Sequence, residues 1–186
     1  LWIGTLGGLS RYDGSNFTNY TIRNGLRSNP VWSLAVDSAD DIWIGGASDL
    51  CMYNGRTFVH YPKRLHQTTR GINSTQQIAI AHDTVWWRVS GDVYFVSGDK
   101  ISYYPTPGPM GFVTSIFAGS DGLWIGKDGV LYHLFPNGCD TIRFELADEQ
   151  ARPNIYRIFR AADGVIWVAT SGGLFRVEKE HMVSCP

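Results

Sequence analysis

The pentapeptide Leu1-Trp2-Ile3-Gly4-Thr5 returns four times along the chain, and this recurrence decides the fold. Its later copies are Ile42-Trp43-Ile44-Gly45-Gly46, Val85-Trp86-Trp87-Arg88, Leu123-Trp124-Ile125-Gly126-Lys127 and Ile166-Trp167-Val168-Ala169-Thr170. The five tryptophans in phase are spaced by 41, 43, 38 and 43 residues. Self-similarity at a nearly fixed period is the sequence signature of a repeat architecture.

Three further runs keep phase with the tryptophan run, which we name run B. Run C follows within a few residues, as in Leu9-Ser10-Arg11-Tyr12, and an aromatic run D comes next, as in Phe17-Thr18-Asn19-Tyr20. Run A precedes four of the five tryptophans, for example at residues 31–36 and 155–159. Each run is short, rich in β-branched and aromatic residues, and bounded by turn pairs such as Asp-Gly and Asn-Gly, a pattern that predicts β-strands.

Four antiparallel strands per repeat are the unit of a β-propeller blade. The sequence therefore predicts an all-β propeller with about five four-stranded blades, the first lacking its inner strand, run A. The predicted repeats cover about residues 1–30, 31–74, 75–111, 112–154 and 155–186. We expect these blades to be an arc of a larger ring, completed by missing blades or by a second chain. The in-phase tryptophans are expected to pack between neighbouring blades.

Composition and charge narrow the function classes. The chain has 186 residues, of which 44% are hydrophobic and 18% charged, with 21 glycines and no three-residue glycine period. This composition excludes a disordered or collagen-like chain. No apolar stretch is long enough to span a membrane. A formal net charge of −1 gives no electrostatic footprint for nucleic acid or an anionic lipid surface, so neither partner is expected for this segment.

The first repeat resembles a known family, the two-component regulator propeller repeat. The resemblance rests on Leu1-Trp2-Ile3-Gly4-Thr5, on residues 8–14 (Gly-Leu-Ser-Arg-Tyr-Asp-Gly), on Phe17-Thr18-Asn19-Tyr20 and on residues 24–34. The second repeat matches well and the fifth recovers the pattern in residues 170–174. The third departs strongly, with Arg88 where Gly is usual, and the fourth has Lys127 in place of a small residue or Thr.

The resemblance implies a seven-bladed propeller in the extracytoplasmic sensor part of a bacterial signalling protein. In that family the propeller belongs to hybrid two-component or diguanylate cyclase proteins, and none of those signalling parts is present in this sequence. It implies a periplasmic or extracellular location and a sensing role, often for carbohydrate fragments. The expected function is thus a non-catalytic sensor or ligand-binding module.

Catalytic and metal-binding patterns are not evident. The sequence has no Gly-x-Ser-x-Gly elbow, His-Glu-x-x-His pair or phosphate-binding loop, and no cofactor is predicted. The five histidines share no phase of the repeat, so we expect them to be solvated or satisfied in turns rather than gathered at a metal site. The three cysteines are widely spaced and are interpreted as isolated small apolar residues.

The candidate ligand site lies in the loops, where propellers and other scaffolds concentrate binding residues. Two connections from run D to the next run A are unusually long, at residues 63–75 and 147–154, and long loops are often functional. Aromatic platforms with arginines suit a saccharide or a small anionic ligand. The predicted ligand-binding residues are Trp32, Arg64, His66, Arg70, Arg152 and Tyr156.

Two other functions remain open from the sequence. One is a scaffold propeller that docks another protein and binds no small ligand. The other is a propeller enzyme, such as a lyase or glycosidase, which is the weaker alternative because no clustered acid–base pair is evident in the sequence.

Overall fold

The structure is a computed structural model that describes residues 1–47, 49–62, 77–144, 152–178 and 181–184. The described chain is built of β-strands apart from one 3-10 turn at Ile22–Asn24. It divides into two compact units, Leu1–Tyr104 and Pro105–Pro186, which are described separately below.

The first unit contains three separate antiparallel sheets. The first has the strands β1 (Trp2–Thr5), β2 (Gly8–Tyr12) and β3 (Phe17–Tyr20). The second has β4 (Val31–Val36), β5 (Ile42–Gly46), β6 (Asp49–Tyr53) and β7 (Phe58–Pro62). The third has β8 (Gln77–Ala81), β9 (Thr84–Val89), β10 (Asp92–Ser97) and β11 (Lys100–Tyr104). Within each sheet the strands lie side by side in chain order, which is the arrangement of a propeller blade.

The second unit contains two more four-stranded meanders. One has β12 (Val113–Gly119), β13 (Gly122–Lys127), β14 (Val130–Phe135) and β15 (Gly138–Phe144). The other has β16 (Ile155–Arg160), β17 (Ile166–Thr170), β18 (Gly173–Glu178) and β19 (His181–Ser184). Their outer strands β15 and β19 pair in parallel over two residues, so the two meanders join into one eight-stranded sheet.

The five meanders, numbered blades 1 to 5, confirm the strand assignment made from the sequence. Blade 1 has three strands and lacks the inner one, as predicted. Register follows the repeat: Trp43 lies opposite Ala35 of the inner strand, and Trp124 lies opposite Phe117 in the same way. The period of the sequence is therefore the period of the sheets.

The hairpin between β12 and β13 is shifted by one residue from the sequence prediction, which placed its two-residue turn at Asp121-Gly122. Residues 120 and 121 form the two-residue turn between β12 and β13, whereas Gly122 is already paired with Gly119. Gly122 has φ +136°, and a Cβ there would lie 2.0 Å from the carbonyl oxygen of Leu134. Glycine is required at this position by the close approach of the third strand rather than by the turn.

The hydrophobic core lies between consecutive blades. In the first unit, one buried cluster joins blades 1 and 2 around Leu9 and Ile44, with Trp2 packed against it, and a second joins blades 2 and 3 around Trp43 and Trp87. In the second unit, Trp124 belongs to a cluster that joins blades 4 and 5. The predicted packing of the in-phase tryptophans between blades is confirmed for Trp2, Trp43 and Trp124.

Blade 3 differs from the others because it has two adjacent tryptophans. The in-phase Trp86 is only half-buried and contacts Phe95 and Tyr104. Its neighbour Trp87 is fully buried in the cluster between blades 2 and 3. Successive strand residues point to opposite faces, so the pair covers both faces of this blade.

Candidate functional site

Trp32 and Tyr156, two residues of the predicted site, occupy the same position of the repeat. Each is the extra residue of a β-bulge near the start of an inner strand, where the pairing register shifts between residues 31 and 33 and between residues 155 and 157. Thr114 holds the same position in blade 4. β-Bulges redirect side chains and are frequent beside functional sites.

The bulge leaves both aromatic rings accessible. Trp32 is 38% exposed and Tyr156 is 62% exposed, although Val31 and Ile155 just before them are buried. In blade 4 the Thr114 hydroxyl instead donates to the carbonyl of Gly126, 3.2 Å away. The bulge thus presents a large ring in blades 2 and 5 and a small side chain in blade 4.

Within each blade, the B–C hairpin and the start of the inner strand lie at the same end, which we call the loop end. Connections that lead into the inner strands are fastened to these hairpins. In blade 2 the Ala47 amide donates to Ser28 Oγ at 3.2 Å, and in blade 5 the Ser171 amide donates to the carbonyl of Asn154 at 3.0 Å. The connections that precede Trp32 and Tyr156 are therefore each held to the B–C hairpin of the same blade.

Arg152 is exposed and lies against the B–C hairpin of blade 4. A Cβ on Gly129 would be 2.7 Å from the Cβ of Arg152, so the backbone of this hairpin is in direct contact with Arg152. The preceding residue, Asp128, is exposed with φ +49°, and its Oδ1 accepts from the amide of Phe112 at 3.3 Å. Phe112 is itself 46% exposed. The hairpin that Arg152 contacts thus carries the carboxylate of Asp128, and Asp128 in turn bonds the connection that carries the aromatic ring of Phe112.

The other three predicted site residues, Arg64, His66 and Arg70, lie outside the described residues.

A polar network at the loop end of blade 2 was not expected from the sequence. Asp49 is almost fully buried, and its Oδ2 is 2.7 Å from Nδ1 of His60 and 3.9 Å from Nε of Arg27. The other ring nitrogen of His60 is 2.9 Å from the carbonyl oxygen of Gly25. Burial raises the pKa of Asp49, while the hydrogen bond from His60 and the charges of His60 and Arg27 lower it.

Cys51 lies on the same strand as Asp49 but is not a nucleophile. Burial, reinforced by the Asp49 carboxylate, raises the pKa of the Cys51 thiol to about 12. The reactive form of cysteine is the thiolate, and Cys51 stays a thiol at neutral pH. His60 has both nitrogens facing protein acceptors, so neither is directed at a substrate.

His133 belongs to a second network, in the second unit. Its ring stacks on Trp124 at 3.9 Å between centroids, and its Nε2 is 3.2 Å from the carbonyl oxygen of Asp121. The Asp121 carboxylate accepts from the indole N–H of Trp124 at 3.3 Å and also pairs with Arg160 of blade 5. His60 and His133 each lie within hydrogen-bond distance of the carbonyl of a turn residue, Gly25 and Asp121, as expected of turn-satisfied histidines, but their carboxylate partners Asp49 and Asp121 were not expected.

Two buried cations are the other residues whose role the sequence missed. Lys127 is 4% exposed and donates to Thr106 Oγ1 at 3.1 Å and to the carbonyl of Pro107 at 3.0 Å. Arg88 is 5% exposed, and burial lowers its pKa to about 10. The sequence did mark both positions as unusual, because each cation interrupts the repeat: Arg88 stands where glycine recurs, and Lys127 stands where a small residue recurs.

Among the described residues, no group of three or more histidine, cysteine, aspartate or glutamate side chains is placed to hold a metal ion. In the same residues, no helix is long and apolar enough to cross a membrane. Cys51 is free and buried, as expected of a small apolar residue, whereas Cys139 is free and exposed.

The inner strand β4 and the tryptophan strand β5 are the part of the chain that a sequence-family model recognises. Residues 25–48 match the family described as "Two component regulator propeller". The resemblance stated from the sequence is confirmed for this copy of the propeller repeat. No curated protein sequence matches the chain.

Solved structures share the propeller fold. The extracellular domain of BT4673 from B. thetaiotaomicron, described as a one component system, superposes with a TM-score of 0.73 at 22% identity, over 96% of this chain and 26% of that one. An inactive virginiamycin B lyase from Staphylococcus aureus with quinupristin gives 0.73 at 14%, over 97% and 63%. PorZ of the Porphyromonas gingivalis type-IX secretion system gives 0.69 at 16%, over 96% and 31%.

These similarities establish the fold as part of a β-propeller. The chain spans about a quarter of the BT4673 domain, so the predicted blades are a segment of a larger propeller. The three similar proteins are described as a signalling domain, an enzyme and a secretion component, and a fold shared among them does not select one activity.

Proposed function

We propose that this propeller segment is part of a non-catalytic sensor module on the periplasmic or extracellular side of a bacterial signal-transduction protein. Its ligand in this proposal is a saccharide or a small anion bound at the loop ends of the blades. The family match over residues 25–48 and the likeness to the extracellular domain of BT4673 support the signalling context. The observation that carries the ligand site is the recurrent bulge that exposes Trp32 and Tyr156.

The bulges support a binding role because they expose the rings of Trp32 and Tyr156 while interrupting the regular hydrogen-bond pairing of the inner strands. The register shifts at Trp32, Thr114 and Tyr156, and β-bulges redirect side chains and are over-represented next to active sites. Exposed aromatic rings offer flat apolar faces to sugar rings and lose little conformational entropy on binding. Arg152 adds a planar donor near the start of the same inner strand as Tyr156.

The polar networks favour sensing over catalysis. Among the described residues, the buried Asp49–His60 pair is the nearest to an acid–base couple, and both His60 nitrogens face acceptors within the protein. A general base needs a nitrogen within hydrogen-bond reach of the substrate. We therefore interpret the similarity to virginiamycin B lyase as a similarity of fold and not of activity.

A protein-docking role is the second candidate, favoured by the open face of blade 5. Leu174 is 41% exposed, whereas Leu50, which has the same repeat position in blade 2, is fully buried against blade 3. Phe159 on the same blade is 39% exposed. We propose that this face is covered, because its residues match a face that is covered elsewhere in the repeat: a second chain covers it in the docking role, whereas further blades of the ring cover it in the sensor role.

Ligand-induced thermal stabilisation tests the sensor proposal. A panel of neutral oligosaccharides, uronic acids and small anions is screened against the purified protein, and at least one class should raise the Tm, since a ligand that binds the folded state stabilises it. Trp32→Ala and Tyr156→Ala should each reduce that shift, and so should Arg64→Ala and Arg70→Ala if the 63–75 loop contributes.

Phe17→Ala is the matched control, because Phe17 is 60% exposed on the outer strand β3. It should leave the ligand shift intact. A screen without any stabilising ligand, combined with capture of a partner by the unaltered protein, would favour the docking role instead. Equal loss of the shift in the Phe17 and Tyr156 variants would contradict the bulge site.

A further inference from the structure

His60 lies between two hydrogen-bond acceptors that belong to different parts of the chain. Its Nδ1 is 2.7 Å from Oδ2 of Asp49 on β6, and its Nε2 is 2.9 Å from the carbonyl oxygen of Gly25. Gly25 belongs to the connection 21–30, which joins blade 1 to blade 2. A carbonyl oxygen can only accept, so the bond to Gly25 requires a hydrogen on Nε2.

The number of protons then decides how many of these bonds can exist. A neutral imidazole has one N–H group, so neutral His60 beside an ionised Asp49 can donate to only one of its two partners. One additional proton satisfies both. It can reside on His60 as an imidazolium, or on Asp49 as a carboxylic acid that donates to Nδ1, and in either case Nε2–H reaches Gly25.

We propose that one proton shared by Asp49 and His60 fastens the connection 21–30 to blade 2, and that removal of this proton as the pH rises releases the carbonyl of Gly25. The proposal concerns a conformational device of the loop end and does not depend on the identity of the ligand proposed above.

The surroundings determine which bond is lost. Asp49 is 2% exposed, and a buried carboxylate without a donor is costlier than a carbonyl that turns to water. The neutral His60 therefore keeps its N–H on Nδ1 for Asp49 and presents a lone pair to Gly25. Two lone pairs facing each other at 2.9 Å repel, so the Gly25 carbonyl moves away.

Arg27 and Cys51 are ionisable groups that interact electrostatically with Asp49, and neither changes charge near neutral pH. Arg27, on the connection itself, is a permanent cation 3.9 Å from Asp49. Cys51, the cross-strand partner of His60 on β6, is a neutral thiol because its pKa is about 12. The shared proton therefore belongs to Asp49 and His60 and not to Arg27 or Cys51.

The affected segment lies at the loop end. The connection contains the buried Leu26, whose amide donates to the carbonyl of Thr21, and Ser28, whose hydroxyl accepts from the Ala47 amide. It leads directly into β4, which begins at Val31 beside the exposed Trp32. Release at Gly25 therefore loosens the entry to the inner strand of blade 2.

Nitrogen NMR of the histidine rings, recorded from about pH 6 to about pH 9.5 to bracket the loss of a histidine proton, tests the proposal. We expect His60 to retain Nε2–H at the acidic end and to become an Nδ1–H tautomer at the alkaline end. Amide exchange of Leu26 and Ala47, corrected for intrinsic rates, should become about tenfold less protected over the same range, which corresponds to one net hydrogen bond. His133, which belongs to the second unit, is the internal control.

Asp49→Asn separates this device from a general effect of pH. The asparagine amide can donate to Nδ1 while neutral His60 donates from Nε2 to Gly25, so both bonds persist without the extra proton. The change in amide protection should then fall below about twofold. An Nε2–H tautomer of wild-type His60 at the alkaline end, or an unchanged pH dependence in folded Asp49→Asn, would overturn the proposal. The wild-type tautomer decides the matter even if the variant does not fold.

Discussion

A Cβ atom on Gly126 would lie 2.7 Å from Cγ2 of Ile155, because the inner strand of blade 5 rests directly on the tryptophan strand of blade 4. Gly4 and Val31 repeat this contact between blades 1 and 2, with a hypothetical Cβ 2.7 Å from Cγ1 of Val31. The glycine that follows Trp-Ile in the repeat is therefore a point at which consecutive blades approach closely.

Gly126→Ala should destabilise the protein by about 1–3 kcal/mol, because Ile155 is fully buried and has no room to move. Urea unfolding of the variant measures the change. Gly172→Ala is the control, since its nearest new neighbour would be Pro153 Cβ at 3.6 Å, an ordinary contact. Equal stability of the two variants would show that blades 4 and 5 do not pack as described.

Ser115→Ala should cost about 1–3 kcal/mol, the penalty for a buried polar group left without its partner. Ser115 is fully buried, and its hydroxyl accepts from the amide of Ile158 at 3.2 Å, which joins the inner strands of blades 4 and 5. Thermal unfolding compares it with Ser120→Ala at an exposed turn position, which should be near neutral. A neutral Ser115 variant would mean that this bond contributes nothing.

Lys127→Ala should loosen the connection 105–112, because the buried ammonium group bonds Thr106 and Pro107. Hydrogen–deuterium exchange should rise in residues 105–112 and remain unchanged in Lys100→Ala, whose parent lysine is exposed. Faster exchange in both variants, or in neither, would contradict the anchoring role.

The same lysine gives a pH dependence of known sign. Burial lowers the pKa of Lys127 below its ordinary value of 10.5. The unfolded chain therefore binds more protons than the folded chain between the lowered pKa and 10.5, and stability rises with pH in that window. The stability of the unaltered protein relative to Lys127→Ala should increase as the pH is raised toward 10.5, measured by urea unfolding.

The cysteines should differ in reactivity. Cys139 is exposed, whereas Cys51 is buried and has a thiol pKa of about 12. At about pH 8, iodoacetamide should modify Cys139 in the native protein and Cys51 only after unfolding, as followed by peptide mass spectrometry. Rapid native labelling of Cys51 in a Cys139→Ser variant would show that strand β6 is accessible.

The propeller could be predicted from the sequence because each strand and turn of the repeat is specified by residues that are close together along the chain. The phase of Trp2, Trp43 and Trp124 gives the strand register, and each strand forms because of the few residues within it. Blade 1 follows in the same way, from the three runs that contain Trp2, Leu9 and Phe17.

For the proposed site, the sequence indicated Trp32 and Tyr156 as aromatic residues near the starts of inner strands, and their binding role stays a prediction. The β-bulges at these positions could not be predicted, because no local residue pattern there specifies a register shift.

The sequence by itself determined the strands, their order and the period of the blades, all of which depend on neighbours along the chain. Only the tertiary structure decided that Lys127 is buried and donates to the carbonyl of Pro107, that Asp121 pairs with Arg160 of the next blade, and that His60 lies within hydrogen-bond distance of Gly25, 35 residues away. Those contacts depend on which distant segments meet in the folded chain, and no local sequence pattern specifies that.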